Sequence, residues 1–138
     1  MIRTTVLAVA CLLPTTVQSQ ELLTLDCSFT TTHVVRQESG KAEETTPVAG
    51  DSVSMTFSGF DPQTQTVMVV GNQGASKANY MVSDTHLMIV EITDAGNIMV
   101  TSIEAPRNRR TVSGVHTRNT WIGPGASIST MTGPCAVR

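Results

Sequence analysis

The sequence HLMIVEITDAGNIMVTSI, residues 86–103, contains two runs rich in β-branched residues that are separated by the four residues 94–97. Such runs favour strands, because branched side chains pack well on a pleated surface. Gly96 and Asn97 tolerate the positive φ that a tight turn needs. The stretch therefore predicts an antiparallel β-hairpin.

Alternation of apolar and polar residues with a period of two continues on both sides of this hairpin. Such alternation is typical of a strand that packs one face inward and turns the other toward water. It predicts further strands at residues 23–30, 53–58, 66–70, 78–82, 110–116 and 126–131. Glycine- and proline-containing segments between them, such as 59–63 and 123–125, predict turns. Residues 37–51 are polar and lack any period, so we expect a long exposed loop there.

The pattern along the whole chain indicates an all-β fold. No window shows the apolar repeat at i, i+3, i+4 and i+7 that an amphipathic helix requires. About eight strands with mostly short connections predict a small antiparallel meander. It would form a closed or partly open barrel or, as an alternative, a sandwich. We favour the barrel, because closure places the first strand beside the last and removes exposed strand edges.

The first 19 residues have the features of a signal peptide. Arg3 precedes an apolar run at 6–13, which is too short to span a bilayer. Cleavage after this segment would leave residues 20–138 as a single β domain, periplasmic or secreted. Two alternatives are a buried N-terminal helix and lipid attachment at Cys11, which lies in a segment that loosely resembles a lipobox.

Removal of the signal peptide leaves two cysteines, Cys27 and Cys135. In an oxidising compartment, two cysteines predict one disulfide. The bridge would close a loop of about 100 residues, for which reduced chain entropy in the unfolded state gives a stabilisation of about 4 to 5 kcal/mol. It requires Cα atoms within about 7 Å, so it would hold the first and last strands together. The alternative is two unrelated thiols.

Composition and charge narrow the classes of partner and of chemistry. Residues 20–138 hold eight Lys or Arg and eleven Asp or Glu, a net charge of −3 that favours neither nucleic acid nor an anionic membrane. The sequence has no G-x-S-x-G nucleophile elbow and no P-loop. The three histidines, His33, His86 and His116, are not spaced as zinc ligands. We therefore expect a protein that is not an enzyme, holds no metal or cofactor, and does not insert stably into a membrane after signal cleavage.

The cationic segment 107–121 is the one departure from this mildly acidic background. Its candidate binding residues are Arg107, Arg109, Arg110, His116, Arg118 and Trp121. Guanidinium groups make bidentate contacts with anions, and an exposed tryptophan is a common anchor at interfaces. The segment predicts a patch for an anionic ligand, a carbohydrate or an acidic protein surface. The alternative is a solvated hairpin end with Trp121 packed over the barrel mouth.

Short motifs near the two ends of the chain carry a family resemblance. They are DCSF (26–29), GVHTR (114–118) and TGPC (132–135), together with the turn at 94–97. In these motifs the chain resembles short exported β proteins of alphaproteobacteria. The resemblance implies a periplasmic β domain and supports the disulfide, but it names no activity. Asn119 stands where a second histidine is usual, which argues against a shared histidine-based metal or catalytic site.

The function expected from these features is a non-enzymatic binding module, periplasmic or secreted. A rigid barrel would present loops to an unknown protein of the cell envelope or to an anionic ligand. A second hypothesis is an inhibitor of a secreted hydrolase, with residues 107–110 or 123–125 as the inserted loop. A third is a carrier of a small apolar ligand inside the barrel.

Overall fold

The computed structural model describes residues 23–38, 40–45, 51–123 and 125–138, and the predicted signal peptide lies outside them. In these residues the chain forms nine β-strands and no helix, as the period-two pattern predicts. The strands are β1 (Leu25–Glu38), β2 (Lys41–Thr45), β3 (Ser52–Asp61), β4 (Thr66–Gly71), β5 (Gly74–Val82), β6 (His86–Ile92), β7 (Ile98–Glu104), β8 (Thr111–Ile122) and β9 (Gly125–Val137). None of the described segments is a helix long and apolar enough to cross a membrane.

Eight of the described strands form a closed antiparallel barrel. β1 pairs with β3, each strand from β3 to β8 pairs with its successor, and β9 pairs back onto β1. The predicted barrel is therefore confirmed, and the sandwich alternative is wrong because the sheet closes on itself. β2 is the additional strand and pairs with the C-terminal half of β1.

The hairpin predicted at residues 86–103 is formed by β6 and β7, which pair along their whole length. Its turn contains a hydrogen bond of 2.8 Å from the Gly96 backbone N–H to the Thr93 carbonyl, and Gly96 has a φ of 78°. This turn lies at what we call the upper end of the barrel, with the β4–β5 and β8–β9 turns. The lower end carries the β3–β4, β5–β6 and β7–β8 connections.

The prediction of a loop across residues 37–51 is wrong in its first part. The chain continues as β1, turns at Gly40, which has a φ of 79°, and returns as β2. Most β2 side chains are exposed, so this strand lacks the apolar face that would reveal it in the sequence. Backbone pairing holds it on β1, and His33 Nδ1 lies 3.0 Å from Glu44 Oε1 across the two strands. Residues 46–50 of the predicted loop lie outside the described residues.

Alternate side chains of the barrel strands point inward and fill the interior below its upper mouth. The buried apolar side chains are Leu25, Cys27, Phe29, Val53, Met55, Phe57, Val67, Val69, Ala78, Leu87, Ile89, Ile103, Val112, Met131 and Cys135. Full burial of one large apolar side chain contributes about 1.5 to 3 kcal/mol to folding. This packed interior is therefore the main source of stability.

The cysteine pairing predicted from the sequence is confirmed by the geometry of the seam between β1 and β9. Cys27 and Cys135 are cross-strand partners, with Sγ atoms 1.99 Å apart and Cα atoms 4.0 Å apart. Beside them, Thr24 and Arg138 exchange two backbone hydrogen bonds of 3.0 and 2.9 Å. Arg138 Nε also lies 2.9 Å from Asp26 Oδ2. Both termini of the described barrel are thus held on one seam.

Candidate functional site

The six candidate residues of segment 107–121 lie in three different places. The three arginines at its start belong to the β7–β8 connection at the lower end, whereas Trp121 lies at the upper end of β8. A strand rises about 3.3 Å per residue, so the 12 residues of β8 separate these ends by roughly 40 Å. His116 and Arg118 lie between them, on the inward face of the strand. The prediction of one cationic patch is therefore wrong, because an extended strand carries its residues apart.

The arginines of the β7–β8 connection are largely engaged by the protein itself. Arg107 Nη2 donates to the backbone carbonyl of Asp84, and Arg109 Nη2 donates to Glu104 Oε1 at 2.6 Å. The hydrogen bond from Arg109 holds the pKa of the Glu104 carboxyl below its ordinary value. Arg110 is exposed. Two of the three guanidinium groups are thus bound to the protein's own oxygen atoms, which reduces their availability to an anionic ligand.

A groove of about 480 Å³, the lower groove, lies beside these arginines on the outer side of the barrel. Its lining includes His86, Glu104, Ser102 and Ser113, which are the residue types of a nucleophilic triad. Their hydrogen bonds are made elsewhere, since His86 Nδ1 lies 2.9 Å from Thr85 Oγ1 and Glu104 accepts from an arginine. Within the described residues, the groove therefore holds no assembled relay of serine, histidine and carboxylate.

His116 lies inside the barrel. Its side chain is fully buried, its Nδ1 lies 2.8 Å from Thr101 Oγ1, and its ring stacks on Phe29 with centroids 5.6 Å apart. Burial, together with the nearby positive charge of Arg118, lowers the pKa of His116 from 6.5 to about 4. The ring is therefore neutral at pH 7. The prediction of a ligand- or partner-binding residue is wrong at this position, because the inward face of β8 belongs to the core here.

Strand parity also separates positions 116 and 119. Side chains alternate between the two faces of a strand, so His116 and Asn119 point to opposite sides of the barrel wall. A histidine at position 119 would therefore not meet His116 at one metal ion. In the part of the chain that the structure describes, no group of three or more His, Cys, Asp or Glu side chains is placed to hold a metal ion.

The upper mouth of the barrel is a cavity of about 350 Å³ that was not predicted from the sequence. Glu91 pairs with Met99, and Met99 pairs with Arg118, so these three residues form one inward-facing row across β6, β7 and β8. Ser76 Oγ donates to Glu91 Oε1 from the adjacent strand β5. We call the cavity that these four side chains line the upper-mouth site.

Arg118 is the one candidate binding residue that lines this cavity. Its Nε is buried and has no hydrogen-bond partner among the described residues. An unsatisfied buried donor costs about 1 to 3 kcal/mol, and more when the group is charged. The described protein groups therefore leave this guanidinium incompletely hydrogen-bonded at the wall of the cavity.

A signal for the upper-mouth site is present in the sequence. Leu87 and Ile89 are buried, and Glu91 follows at the same parity on β6. Arg118 likewise follows the buried His116 by two residues. Charged residues at inward positions are thus visible in the alternation, but only the register between strands brings Glu91 and Arg118 into one row.

The outer side of the upper end carries an exposed apolar surface around Trp121. Ile98 and Ile128 pair with Asn119 from either side, Trp121 follows Asn119 by two residues on the same face, and Ile92 pairs with Ile98. The exposed fractions are 65 % for Trp121, 67 % for Ile92, 43 % for Ile98 and 45 % for Ile128. We call these four side chains the Trp121 face. The alternative in which Trp121 packs over the barrel mouth is therefore wrong.

No protein-family model matches this chain, and no curated protein matches it. The lower groove, the upper-mouth site and the Trp121 face are therefore the observations that bear on its function.

Proposed function

We propose that this chain is an exported, non-enzymatic binding protein that engages a protein partner through the Trp121 face. The observation that carries the proposal is a group of four large apolar side chains that are exposed and lie around Asn119 on neighbouring strands of the outer wall. Contiguous exposed apolar surfaces mark interaction sites. Tryptophan is also enriched among the residues that dominate the binding energy of interfaces.

Rigidity of the scaffold supports this proposal. The Trp121 face lies on paired strands, and the Trp121 backbone N–H donates to Asn97 Oδ1 in the neighbouring β6–β7 turn at 3.1 Å. A preorganised surface loses little conformational entropy on binding. A partner with a complementary apolar surface would therefore bind without rearrangement of the barrel.

Export is part of the same proposal. Residues 1–19 have the pattern of a signal peptide, and the Cys27 and Cys135 sulfur atoms lie at bonding distance. Disulfides persist in the periplasm and outside the cell, whereas cytosolic thiols stay reduced. Mass spectrometry of the exported product should find a chain that begins at Gln20 with both cysteines oxidised. A lipid-modified Cys11 or two free thiols would contradict this part of the proposal.

Affinity capture from a cell-envelope extract tests the Trp121 face through the variant Trp121→Ala. Loss of an aromatic anchor costs about 2 kcal/mol or more, which corresponds to roughly 30-fold weaker binding. We therefore expect the variant to lose a partner that the native protein captures. The matched control is Met81→Ala, which removes a side chain that is 54 % exposed near the lower end of β5. Equal capture by native protein and Trp121→Ala would reject the Trp121 face as the binding surface.

The inhibitor and the carrier have less support. An inhibitor that inserts residues 107–110 would reduce the activity of a secreted hydrolase at stoichiometric concentration, and Arg109→Ala would weaken that effect. A carrier needs an apolar cavity inside the barrel, whereas the described interior below the upper mouth is filled by side chains. A hydrolytic activity of the protein itself that is lost in His86→Ala would contradict the non-enzymatic proposal.

A further inference from the structure

The upper-mouth site holds opposite charges that form no direct ion pair. Glu91 and Arg118 flank Met99 on three neighbouring strands. Adjacent strands lie about 5 Å apart, so the Cα atoms of Glu91 and Arg118 are separated by roughly 10 Å. No ion pair within 4.0 Å joins these two described side chains. A ligand between them would meet a cation on one side and a carboxylate on the other.

The remaining lining of the same cavity includes apolar core residues and a second carboxylate, Asp51, which already accepts a hydrogen bond of 3.1 Å from Thr31 Oγ1. Val53, Met55 and Val69 belong to the buried core and border the cavity together with Met99. The volume of about 350 Å³ lies at the small end of the range of ligand pockets. Such a site would accommodate a small molecule with a short apolar group below its charged groups.

We infer that the upper-mouth site binds a small zwitterion, namely a molecule with a carboxylate, an adjacent cationic nitrogen and a short apolar side chain. The carboxylate of the ligand would accept a charge-assisted hydrogen bond from the Arg118 guanidinium, which lines the cavity and forms no ion pair with a described carboxylate. The cationic nitrogen would donate to Glu91, which the Ser76 hydroxyl holds from β5. The apolar group would contact Met99 and the adjoining core.

This inference goes beyond the protein partner of the proposed function. Arg118 and Trp121 are three residues apart, so their side chains point to opposite sides of the barrel wall. A small ligand and a protein partner would therefore use separate surfaces. The protein partner and the small ligand can also be tested independently, because Trp121→Ala should lose the protein partner and keep the small ligand.

Calorimetric titration of the exported protein with three probes tests the inference. Leucine carries both charges, N-acetylleucine carries only the carboxylate, and leucinamide carries only the cation. We expect saturable binding of leucine. The affinity for each of the other two probes should be at least about tenfold lower, since each loses one charge-assisted contact. Absence of saturable leucine binding up to about 10 mM, or equal binding of all three probes, would overturn the inference.

Two variants assign the contacts. Glu91→Gln removes one charge at equal side-chain size, and Arg118→Gln replaces the guanidinium with a shorter neutral side chain. Each should weaken leucine binding about tenfold or more. The matched control Arg110→Gln removes an exposed guanidinium at the lower end and should leave the affinity for leucine unchanged. Native affinity in Arg118→Gln would overturn the inference. If near-UV circular dichroism shows that this variant is misfolded, NMR spectra of the native protein are recorded with and without leucine. We expect chemical-shift changes at Glu91, Met99 and Arg118, and their absence would overturn the inference.

Discussion

His116 and Arg118 share the inward face of β8, whereas Asn119 and Trp121 face outward. This difference in parity gives neighbouring residues unrelated environments. His116 is enclosed in the core, Arg118 lines the upper-mouth site, and Trp121 is 65 % exposed. At the scale of single residues, the face that a side chain occupies therefore decides whether it can serve folding, a small ligand or a protein partner.

Burial of His116 predicts a pH-dependent loss of stability. Its pKa is about 4 in the folded protein against an ordinary value of 6.5, so between these values the unfolded chain binds a proton that the folded chain does not. The contribution to stability is complete above pH 6.5 and is lost as the pH falls toward 4. The difference between the two pKa values corresponds to about 3 kcal/mol in the free energy of unfolding.

Urea denaturation of native protein and His116→Gln at several pH values measures this effect. Between pH 7 and pH 4 the native protein should lose about 3 kcal/mol more of its free energy of unfolding than the variant. Above pH 7 the two stability curves should run parallel, because neither form of residue 116 then titrates. If both proteins lose the same free energy of unfolding down to pH 4, burial does not lower the pKa of His116.

At the scale of elements, β1 and β9 approach each other unusually closely where the TGPC motif occurs. A Cβ atom on Gly133 would lie 1.8 Å from the carbonyl oxygen of Ser28 on β1. This contact is with backbone and cannot be relieved by rotation of a side chain. On β8, a Cβ atom on Gly114 would lie 3.0 Å from the Phe29 ring. Glycine at position 133 is thus a requirement of the seam that closes the barrel.

The variant Gly133→Ala should therefore be less stable. Overpacking of this kind costs about 1 to 3 kcal/mol, measured as a lower midpoint in urea denaturation. The matched control is Gly71→Ala, because a Cβ at Gly71 would have no heavy atom within 4 Å and the position does not require a positive φ. The control should stay within about 0.5 kcal/mol of the native value. A Gly133→Ala protein as stable as the control would contradict the close approach of β1 and β9.

At the scale of the whole molecule, the pairing of β1 with β9 joins the two ends of the described chain. Cys27 and Cys135 are separated by 108 positions in sequence and are direct neighbours across this seam. A covalent link of such sequence separation restricts the unfolded chain strongly. The seam therefore closes the barrel and is also the place where a crosslink has a large effect on stability.

The double variant Cys27→Ser with Cys135→Ser should lower the free energy of unfolding by up to about 4 to 5 kcal/mol. Chemical denaturation measures the loss, and native protein treated with a reductant should show a similar one. Cys11→Ser is the control, since the exported product should lack this residue and keep the native stability. A double variant with native stability would indicate that the bridge does not constrain the unfolded chain.

The strands of the β6–β7 hairpin could be predicted from the sequence because their signals are local. Branched residues, alternation and the glycine of the turn all lie within residues 86–103. β2 could not be predicted, because its side chains are mostly exposed and only pairing with β1 makes it a strand. Elements with an apolar face or a characteristic turn are thus accessible to sequence analysis, and elements held by backbone pairing alone are not.

The amino-acid order was sufficient to predict an all-β chain, a barrel and the pairing of Cys27 with Cys135, since a period of two and cysteine content are properties of the chain itself. Long-range pairing established the rest. It separated Arg109 from Trp121 by the length of β8, enclosed His116 in the core, and placed Glu91 and Arg118 in one row of the upper-mouth site. The physical reason is that distances between side chains on different strands depend on register and closure, which no local pattern contains.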